Sequence, residues 1–172
     1  MRFALPFFAL LAASPAFASV ESATADGFLV RHEVMVPVDS KTAFAELVHP
    51  EHWWNDAHTW SGSAANLSLD PRAGGCWCER WAKGEAEHGV VIRVVRDESL
   101  RVRAAFGPLQ DMALNGVFDL TLSHVEGGTK IVATYRINGP ASANLDKLAA
   151  PVDGVIGEQV ERLRQRLAGE TK

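Results

Sequence analysis

The sequence predicts a single α+β domain in which a strongly curved antiparallel sheet wraps around one long C-terminal helix. The helix is indicated by apolar residues that recur every three or four positions from about Asn144 to Leu167. The sheet is indicated by a series of alternating apolar and polar segments, which predict strands at residues 75–81, 85–95, 100–106, 116–125 and 129–137. Sheet and helix each need a partner for an apolar face, and packing the two together satisfies both.

The elements before this series complete the domain. Residues 28–36 alternate as a strand, and residues 39–48 have the apolar spacing of a helix. A further short helical turn is expected at residues 51–54, followed by a long loop at residues 55–66. Residues 67–70 then predict a short strand. No internal repeat or linker divides the chain, so we expect one domain.

The pair Gly127-Gly128 is typical of a two-residue hairpin turn, and it would place Phe118 and Leu120 on one side of the sheet. Extending this pairing through the earlier hairpins predicts the side chains that face the helix. These are Cys76, Cys78, Arg80, His88, Val90, Ile92, Val94, Val102, Ala104, Phe106, Phe118, Leu120 and Leu122. The opposite, outward face would carry Trp77, Glu79, Trp81 and Glu87.

Four residues are unusual for a plain amphipathic helix. Pro151 should kink the C-terminal helix or mark its true start. Gly154 and Gly157 each cost about 1 kcal/mol relative to Ala in a helix interior, which indicates that another group approaches closely. Gln159 lies within the apolar stripe, so its amide must find hydrogen-bond partners in the protein, in water or in a ligand.

The N-terminus is typical of a secretory signal peptide. A positive start at Arg2 precedes an apolar run from Phe3 to Ala13, and Ala16 and Ala18 supply an A-x-A cleavage site. That run is too short to cross a bilayer of ~30 Å, and no other stretch comes closer. We therefore predict a signal peptide at residues 1–18, a mature domain at residues 19–172, and a periplasmic or secreted location.

Composition excludes some classes of function. The chain of 172 residues is 47% hydrophobic and 22% charged, with a formal net charge of −4, as is usual for a globular protein. Acidic residues outnumber basic ones and no basic block is present, so nucleic acid is not an expected partner. No transmembrane segment and no cofactor are expected, and neither a phosphate-binding glycine loop nor a nucleophile elbow is present.

Cys76 and Cys78 are the two cysteines of the chain, and export would place them in an oxidising compartment. Residues i and i+2 of a regular strand lie ~6.6 Å apart, at the far end of disulfide geometry. The two cysteines could form a strained disulfide or remain as two buried thiols, and the sequence favours the thiols. With His88 they could also hold a soft metal, but no fourth ligand is in view, so no metal is expected.

Glu79 and Glu87 would lie opposite each other in the expected register and would repel. On the outward face, nearby arginines would relieve this repulsion. If the register were slipped by one residue, the carboxylates would enter the interior, where one of them could act as an acid or base.

Several motifs resemble those of the START-like superfamily, also called SRPBCC, which includes polyketide cyclases and homologues of a heat-shock ATPase activator. They are Val36–Asp39 entering a helix, Trp53-Trp54, Leu69–Trp77 and Glu126–Thr129. Phe106–Gln110 and Ala150–Gly154 resemble an exported bacterial subgroup. The resemblance implies a helix-grip fold with a cavity between sheet and long helix that accepts apolar or aromatic small molecules. It implies no common catalytic residues.

We therefore expect an exported protein that binds a small, largely apolar molecule. The alternatives are a cyclase- or hydratase-type enzyme that uses polar residues of the same cavity, and a protein-interaction module. The expected ligand-binding residues are those that the predicted faces and loops bring to the cavity: Trp53, Trp54, Trp60, Cys78, His88, Phe106, Gln110, Phe118, Val155 and Gln159. Catalytic residues and the oligomeric state are left open.

Overall fold

The structure, a computed structural model, describes residues 19–170. Its strands are β1 (Val20–Thr24), β2 (Gly27–Val36), β3 (Leu67–Leu69), β4 (Cys76–Trp81), β5 (Gly84–Val95), β6 (Ser99–Ala104), β7 (Asn115–Val125) and β8 (Gly128–Asn138). Its helices are α1 (Ser40–Leu47) and α2 (Asp146–Leu167), and short 3₁₀ turns lie between them. The predicted signal peptide lies outside the described residues.

One antiparallel sheet of eight strands forms the scaffold, in the order β1-β2-β8-β7-β6-β5-β4-β3. Helix α2 packs on β1 and β2 and also touches α1. The predicted α+β, helix-grip architecture is confirmed. Strand β1 was not predicted, because four of its five side chains are exposed and it lacks the alternation that marks a half-buried strand. Within the described residues, no helix is both long enough and apolar enough to cross a membrane.

Helix α2 begins at Asp146, five residues before Pro151, and continues through the proline without a break. Its buried positions repeat at helical spacing, as the stripe predicts, and they are Ala149, Ile156, Gln159, Val160 and Leu163. The first half of the helix is less buried than the second, because Val152 and Val155 are only partly covered. This partial cover marks where the helix borders a cavity.

The hairpin between β7 and β8 turns one residue earlier than expected, which shifts every pairing of the two strands by two residues. Val125 pairs with Gly128, so Leu120 lies opposite Ala133 and Phe118 lies opposite Tyr135. The shift is an even number of residues, and side chains alternate with a period of two along a strand. The predicted inward face of both strands is therefore preserved, and Phe118 and Leu120 are buried.

The pairing of β4 with β5 corrects the predicted register. Trp77 pairs with Gly89, whereas Cys78 pairs with Glu87, so His88 is the extra residue of a β-bulge. Trp77 and Glu79, expected on the outward face, are 1% and 0% exposed. The outward assignment of these two side chains was wrong. Trp77 keeps its expected partner Gly89, but a residue is also skipped between β5 and β6, and that odd shift turns Gly89, and with it Trp77, to the inner face.

A second irregularity lies between β5 and β6. The pairing skips Ile92, with Val91 opposite Val102 and Arg93 opposite Arg101. As a result Val91 is fully buried and Ile92 is exposed, the reverse of the predicted assignment.

Cys76 and Cys78 form a disulfide, which corrects the favoured expectation of two thiols. Their Cα atoms are 5.4 Å apart, closer than the ~6.6 Å of a regular strand and well inside the range of disulfides. The contraction coincides with the bulge in the pairing of β4 and β5. Because both sulfurs are in the bridge, they are not available as thiolate ligands for a metal.

The two helix glycines have different surroundings. A Cβ on Gly157 would lie 2.6 Å from Cε1 of His32 on β2, so the expected close approach is present there. The His32 ring is held nearby, with Nε2 2.9 Å from an Asp153 oxygen although out of line for a hydrogen bond. A Cβ on Gly154 would meet nothing within 4 Å.

This difference predicts opposite effects of the same substitution one turn apart. Gly154→Ala should raise the free energy of unfolding by up to about 1 kcal/mol, because Ala is the better helix former and has open space. Gly157→Ala should lower it by roughly 1 kcal/mol or more, because the methyl group collides with the His32 ring. Urea denaturation of the two variants checks this, and equal shifts for both would contradict the assigned packing.

Candidate functional site

A cavity of about 470 Å³ lies between the first half of α2, the inner face of the sheet and two loops. Its floor is formed by the sheet together with Trp54 and Phe106, and its mouth by residues 57–60 and 107–112. The lining residues are Trp54, Ala57, His58, Thr59, Trp60, His88, Phe106, Gly107, Pro108, Leu109, Met112, Tyr135, Leu148, Pro151, Val152, Val155 and Ile156. Most of these side chains are apolar, as is usual for a small-molecule site.

The floor is made of packed aromatic rings in two layers. Trp54, Phe106 and Tyr135 reach the cavity. Trp77 and Phe118 pack directly behind Phe106, with ring centroids 5.3 and 5.5 Å away in edge-on arrangements. Such contacts restrict the rings to one arrangement. The apolar surface that a ligand would meet is therefore rigid.

Tyr135 lines the cavity, but its hydroxyl is fully engaged. It accepts a hydrogen bond from the Phe106 amide at 2.8 Å and lies 3.3 Å from the Ala104 carbonyl, to which it donates. Burial raises the pKa of the phenol, although the hydrogen bond from Phe106 acts in the opposite direction. Tyr135 therefore stays protonated, and it fixes the end of β6 where Phe106 enters the cavity.

The main polar feature of the wall is His88, which the bulge of β5 turns inward. Its ring is 5% exposed, and Nε2 lies 2.8 Å from Oε2 of Glu79. The other ring nitrogen, Nδ1, makes no hydrogen bond with any residue between 19 and 170. It is also absent from the fully buried unpaired atoms of those residues, and the His88 side chain lines the cavity, so the geometry places Nδ1 where a molecule in the cavity can approach it.

Glu79 is fully buried and anchors the loop that closes one side of the cavity. Its carboxylate accepts hydrogen bonds from the backbone amides of Trp60 and Ser61, at 3.0 and 2.5 Å. Burial acts to raise the pKa of Glu79, but the hydrogen bonds from Ser61, Trp60 and His88 outweigh it and hold the pKa below the ordinary 4.5. Glu79 is therefore a carboxylate at neutral pH.

The charge of Glu79 determines which nitrogen of the His88 ring donates a hydrogen bond. A carboxylate only accepts hydrogen bonds, so Nε2 of His88 must donate to it. In the neutral ring the lone pair then lies on Nδ1, the nitrogen that the cavity can reach. A buried carboxylate that orients a histidine in this way is a common arrangement for proton transfer.

A second histidine, His58, stands at the mouth. Its Nε2 lies 3.2 Å from Glu158 on α2, and Asn55 also donates to that carboxylate. The hydrogen bond from Asn55 is the main cause of the lowered pKa of Glu158, ahead of the opposing effect of burial and the contribution of His58. Glu158 therefore holds the mouth loop to α2.

Gln159 explains how a polar residue fits in the apolar stripe of α2. Its Oε1 accepts from the Asn55 amide at 2.7 Å and its Nε2 donates to the Val155 carbonyl at 3.2 Å. Both ends of the amide are satisfied by protein. Gln159 therefore positions the segment after Trp54 and does not present its amide to the cavity.

The structure brings half of the predicted site residues to the cavity wall, namely Trp54, Trp60, His88, Phe106 and Val155. The other five lie behind or beside it. Trp53 and Phe118 support the aromatic floor, Gln159 is used internally, and Cys78 is in the disulfide. Gln110 belongs to the loop that forms the mouth, but its side chain donates to the Glu87 carbonyl at 2.8 Å and does not line the cavity.

The prediction missed Glu79, Tyr135 and His58. Glu79 was assigned to the wrong face, together with Trp77, and the signal that could have revealed this was the pair of tryptophans at positions 77 and 81. Two large aromatic side chains on an outward face are unexpected. Tyr135 lies in the predicted strand at residues 129–137, but the alternation of that strand does not distinguish it from the other inward residues. His58 lies in a loop whose path the sequence does not predict.

One group of possible metal ligands lies outside the cavity. Ring or carboxylate atoms of His49, Glu51 and His52 come within 4.8 Å of one another, the only such set of three among residues 19–170. Both histidines are exposed and their Nδ1 atoms already contact carboxylates, of Glu51 and Glu46. The set has no connection to the cavity.

The lowered pKa of Glu79 predicts a specific acid sensitivity. A carboxyl whose pKa is lower in the folded state stabilises the fold above its unfolded pKa, and this contribution is lost as the pH falls through the folded value. Glu79→Gln should therefore be less stable than the wild type at pH 7, and the difference should shrink below about pH 4.5. Urea denaturation at a series of pH values measures it, and a constant difference would mean that the charge of Glu79 contributes nothing.

No family model and no curated protein matches the sequence. Several solved structures, however, match the fold of this chain. A protein from Mesorhizobium loti is 18% identical, with 84% of this chain and 98% of that chain covered and a TM-score of 0.59. The Aha1 dimer from Colwellia psychrerythraea is 13% identical over 84% and 98% of the two chains, with a TM-score of 0.58. CalU16 from Micromonospora echinospora is 13% identical over 85% and 76%, with a TM-score of 0.54.

These alignments cover 84–85% of the chain. At such low identities the likeness concerns the fold and not the residues of the cavity. The chain has the helix-grip fold that its sequence predicted, and it shares this fold with these solved structures.

Proposed function

We propose that this protein binds a small, largely apolar molecule in the cavity between α2 and the sheet. The observation that carries this proposal is the cavity itself. It has a volume of about 470 Å³, within the usual range for ligand sites, and a rigid aromatic floor. A protein that needed only a stable core would fill this volume with side chains, because an apolar void costs stability.

The mouth of the cavity also supports binding. Among the described residues, four large apolar side chains are well exposed, and two of them, Trp60 and Met112, line the cavity. Both belong to loops, where side chains can adapt to a ligand as it enters. The other two, Met35 and Ile92, lie elsewhere on the sheet, so this distribution favours a ligand site over a protein-interaction module.

Export to the periplasm or the exterior is part of the proposal. It is supported by the positive start, apolar run and small-residue cleavage motif of the first eighteen residues. The disulfide between Cys76 and Cys78 supports it independently, because such bonds persist in oxidising compartments.

An environment-sensitive dye tests ligand binding. N-phenyl-1-naphthylamine should bind the wild type and fluoresce more strongly, because its rings leave water for the aromatic floor. Val155→Trp should fill the cavity and weaken binding by at least about tenfold, a change of ~1.4 kcal/mol in binding free energy. The measurement is a fluorescence titration, with thermal unfolding to verify that the variant is folded.

The control is Met35→Trp, which adds the same side chain on an exposed part of β2 away from the cavity. It should bind the dye as the wild type does. A dye that fails to bind the wild type, or that binds Val155→Trp equally well, would refute binding in this cavity.

The carboxylate-held His88 favours a second candidate, an enzyme that transfers protons within the cavity. Nδ1 of His88 would take a proton from a carbon next to a ketone, breaking the C–H bond and leaving its electron pair as an enolate. Return of the proton completes the cycle, so no further reactant is needed. A positioned base of this kind accelerates proton transfer by roughly 10²–10⁴-fold.

Deuterium exchange tests this candidate. In deuterated water, 1-tetralone should exchange its α-hydrogens faster with the wild type than with His88→Leu, as followed by proton NMR. His124→Leu, the same change at an exposed position of β7, is the control and should match the wild type. Equal rates with the wild type and His88→Leu would exclude His88 as the base.

A further inference from the structure

We propose that His88 determines the specificity of the cavity by selecting a ligand whose apolar body carries one hydrogen-bond donor, such as a hydroxyl group. The inference rests on the proposed function, since it requires that the cavity binds a ligand. It goes further by assigning the ligand's polar group and the residue that recognises it.

The first support is the way in which His88 reaches the cavity. The residue is the inserted member of the β4–β5 bulge. If the pairing of Trp77 with Gly89 continued regularly, His88 would lie opposite Cys78, on the other face of the sheet from Glu79. Bulges are found where a strand must re-aim a side chain, often next to a functional site. The ring is then fixed by Glu79, which is itself held by the amides of Trp60 and Ser61.

The second support is that the other polar side chains of the wall have protein partners or water. The Tyr135 hydroxyl is used twice, the Trp54 indole donates to the His58 carbonyl at 3.0 Å, and the Thr59 hydroxyl donates to the Asp56 carbonyl. The side chain of His58 is 32% exposed, so it is open to solvent. His88 alone among these described side chains combines near-complete burial with an unpaired, accessible ring nitrogen.

The third support is the direction of the hydrogen bond that His88 can make. Because Nε2 donates to the Glu79 carboxylate, Nδ1 of the neutral ring is an acceptor. A ligand with a hydroxyl group supplies the matching donor. A purely apolar ligand would displace water from Nδ1 and leave the nitrogen without a partner, which weakens binding.

Two probes of nearly the same shape test this inference, 2-naphthol and 2-methylnaphthalene, which differ by a hydroxyl in place of a methyl group. With the wild type, the ratio of their dissociation constants should favour 2-naphthol about tenfold more than it does with His88→Leu. Comparing the ratio between proteins cancels the different cost of removing each probe from water. His124→Leu should give the wild-type ratio.

His88→Phe is the second variant in case the first does not fold, because it keeps a planar ring without nitrogen.

Emission from bound 2-naphthol gives an independent readout. The excited molecule is a strong acid, so it should transfer its proton to Nδ1 and emit as naphtholate in the wild type. In His88→Phe, where no acceptor adjoins the hydroxyl, it should emit as the neutral form.

The outcomes separate the inference from the proposed function. If neither probe binds the wild type, ligand binding itself fails. If both bind, but with the same ratio in the wild type and the His88 variants, the function stands and the inference is overturned. Tighter binding of 2-naphthoate than of 2-naphthol would also overturn it, because an anion requires a donating imidazolium at this position.

Discussion

The buried contact between Glu79 and its three donors is the interaction on which the cavity depends. One carboxylate joins the loop at Trp60 and Ser61 to strand β4 and, through His88, to strand β5. A buried carboxylate is costly unless its lone pairs are satisfied. Glu79 therefore holds these groups together, since loss of any one donor would leave a buried charge poorly compensated. The Glu79 carboxylate thus both fixes the wall of the cavity and determines which nitrogen of His88 donates a hydrogen bond.

The bulge between β4 and β5 has a large effect on the cavity because it positions a residue of the Glu79 contact. One inserted residue places His88 beside Glu79, and the adjoining cysteines are bridged across Trp77. Trp77 in turn packs against Trp54 and Phe106. The aromatic floor and the polar pair are thus set by a single local feature of two strands. A regular hairpin with the same composition would separate them.

The sequence was sufficient for the parts of the fold that follow a period. These parts are the apolar stripe of α2, the alternation of β7 and β8, and the inward position of Phe118. Although the pairing of β7 with β8 is shifted by two residues from the prediction, the same side chains still face inward. The sequence was insufficient where a bulge shifts the pairing by an odd number of residues, so Trp77, Glu79 and Ile92 were assigned to the wrong face, although His88 lies inward as predicted. Hairpin rules carry pairing forward residue by residue, so one bulge inverts every later assignment on that strand. The cavity residues contributed by loops could be named only by composition, which found Trp54 and Trp60 and missed His58.

The polar residues of the site show why a buried polar group is not by itself evidence of ligand binding. Gln159 and Tyr135 are both buried, yet each is satisfied by backbone groups and serves to place a neighbouring segment. His88 differs because its internal partner occupies only one of two ring nitrogens, and the other is accessible from an apolar cavity. What distinguishes a binding group is therefore a remaining, reachable hydrogen-bonding capacity. That property depends on the partners of each atom, which only the three-dimensional arrangement defines.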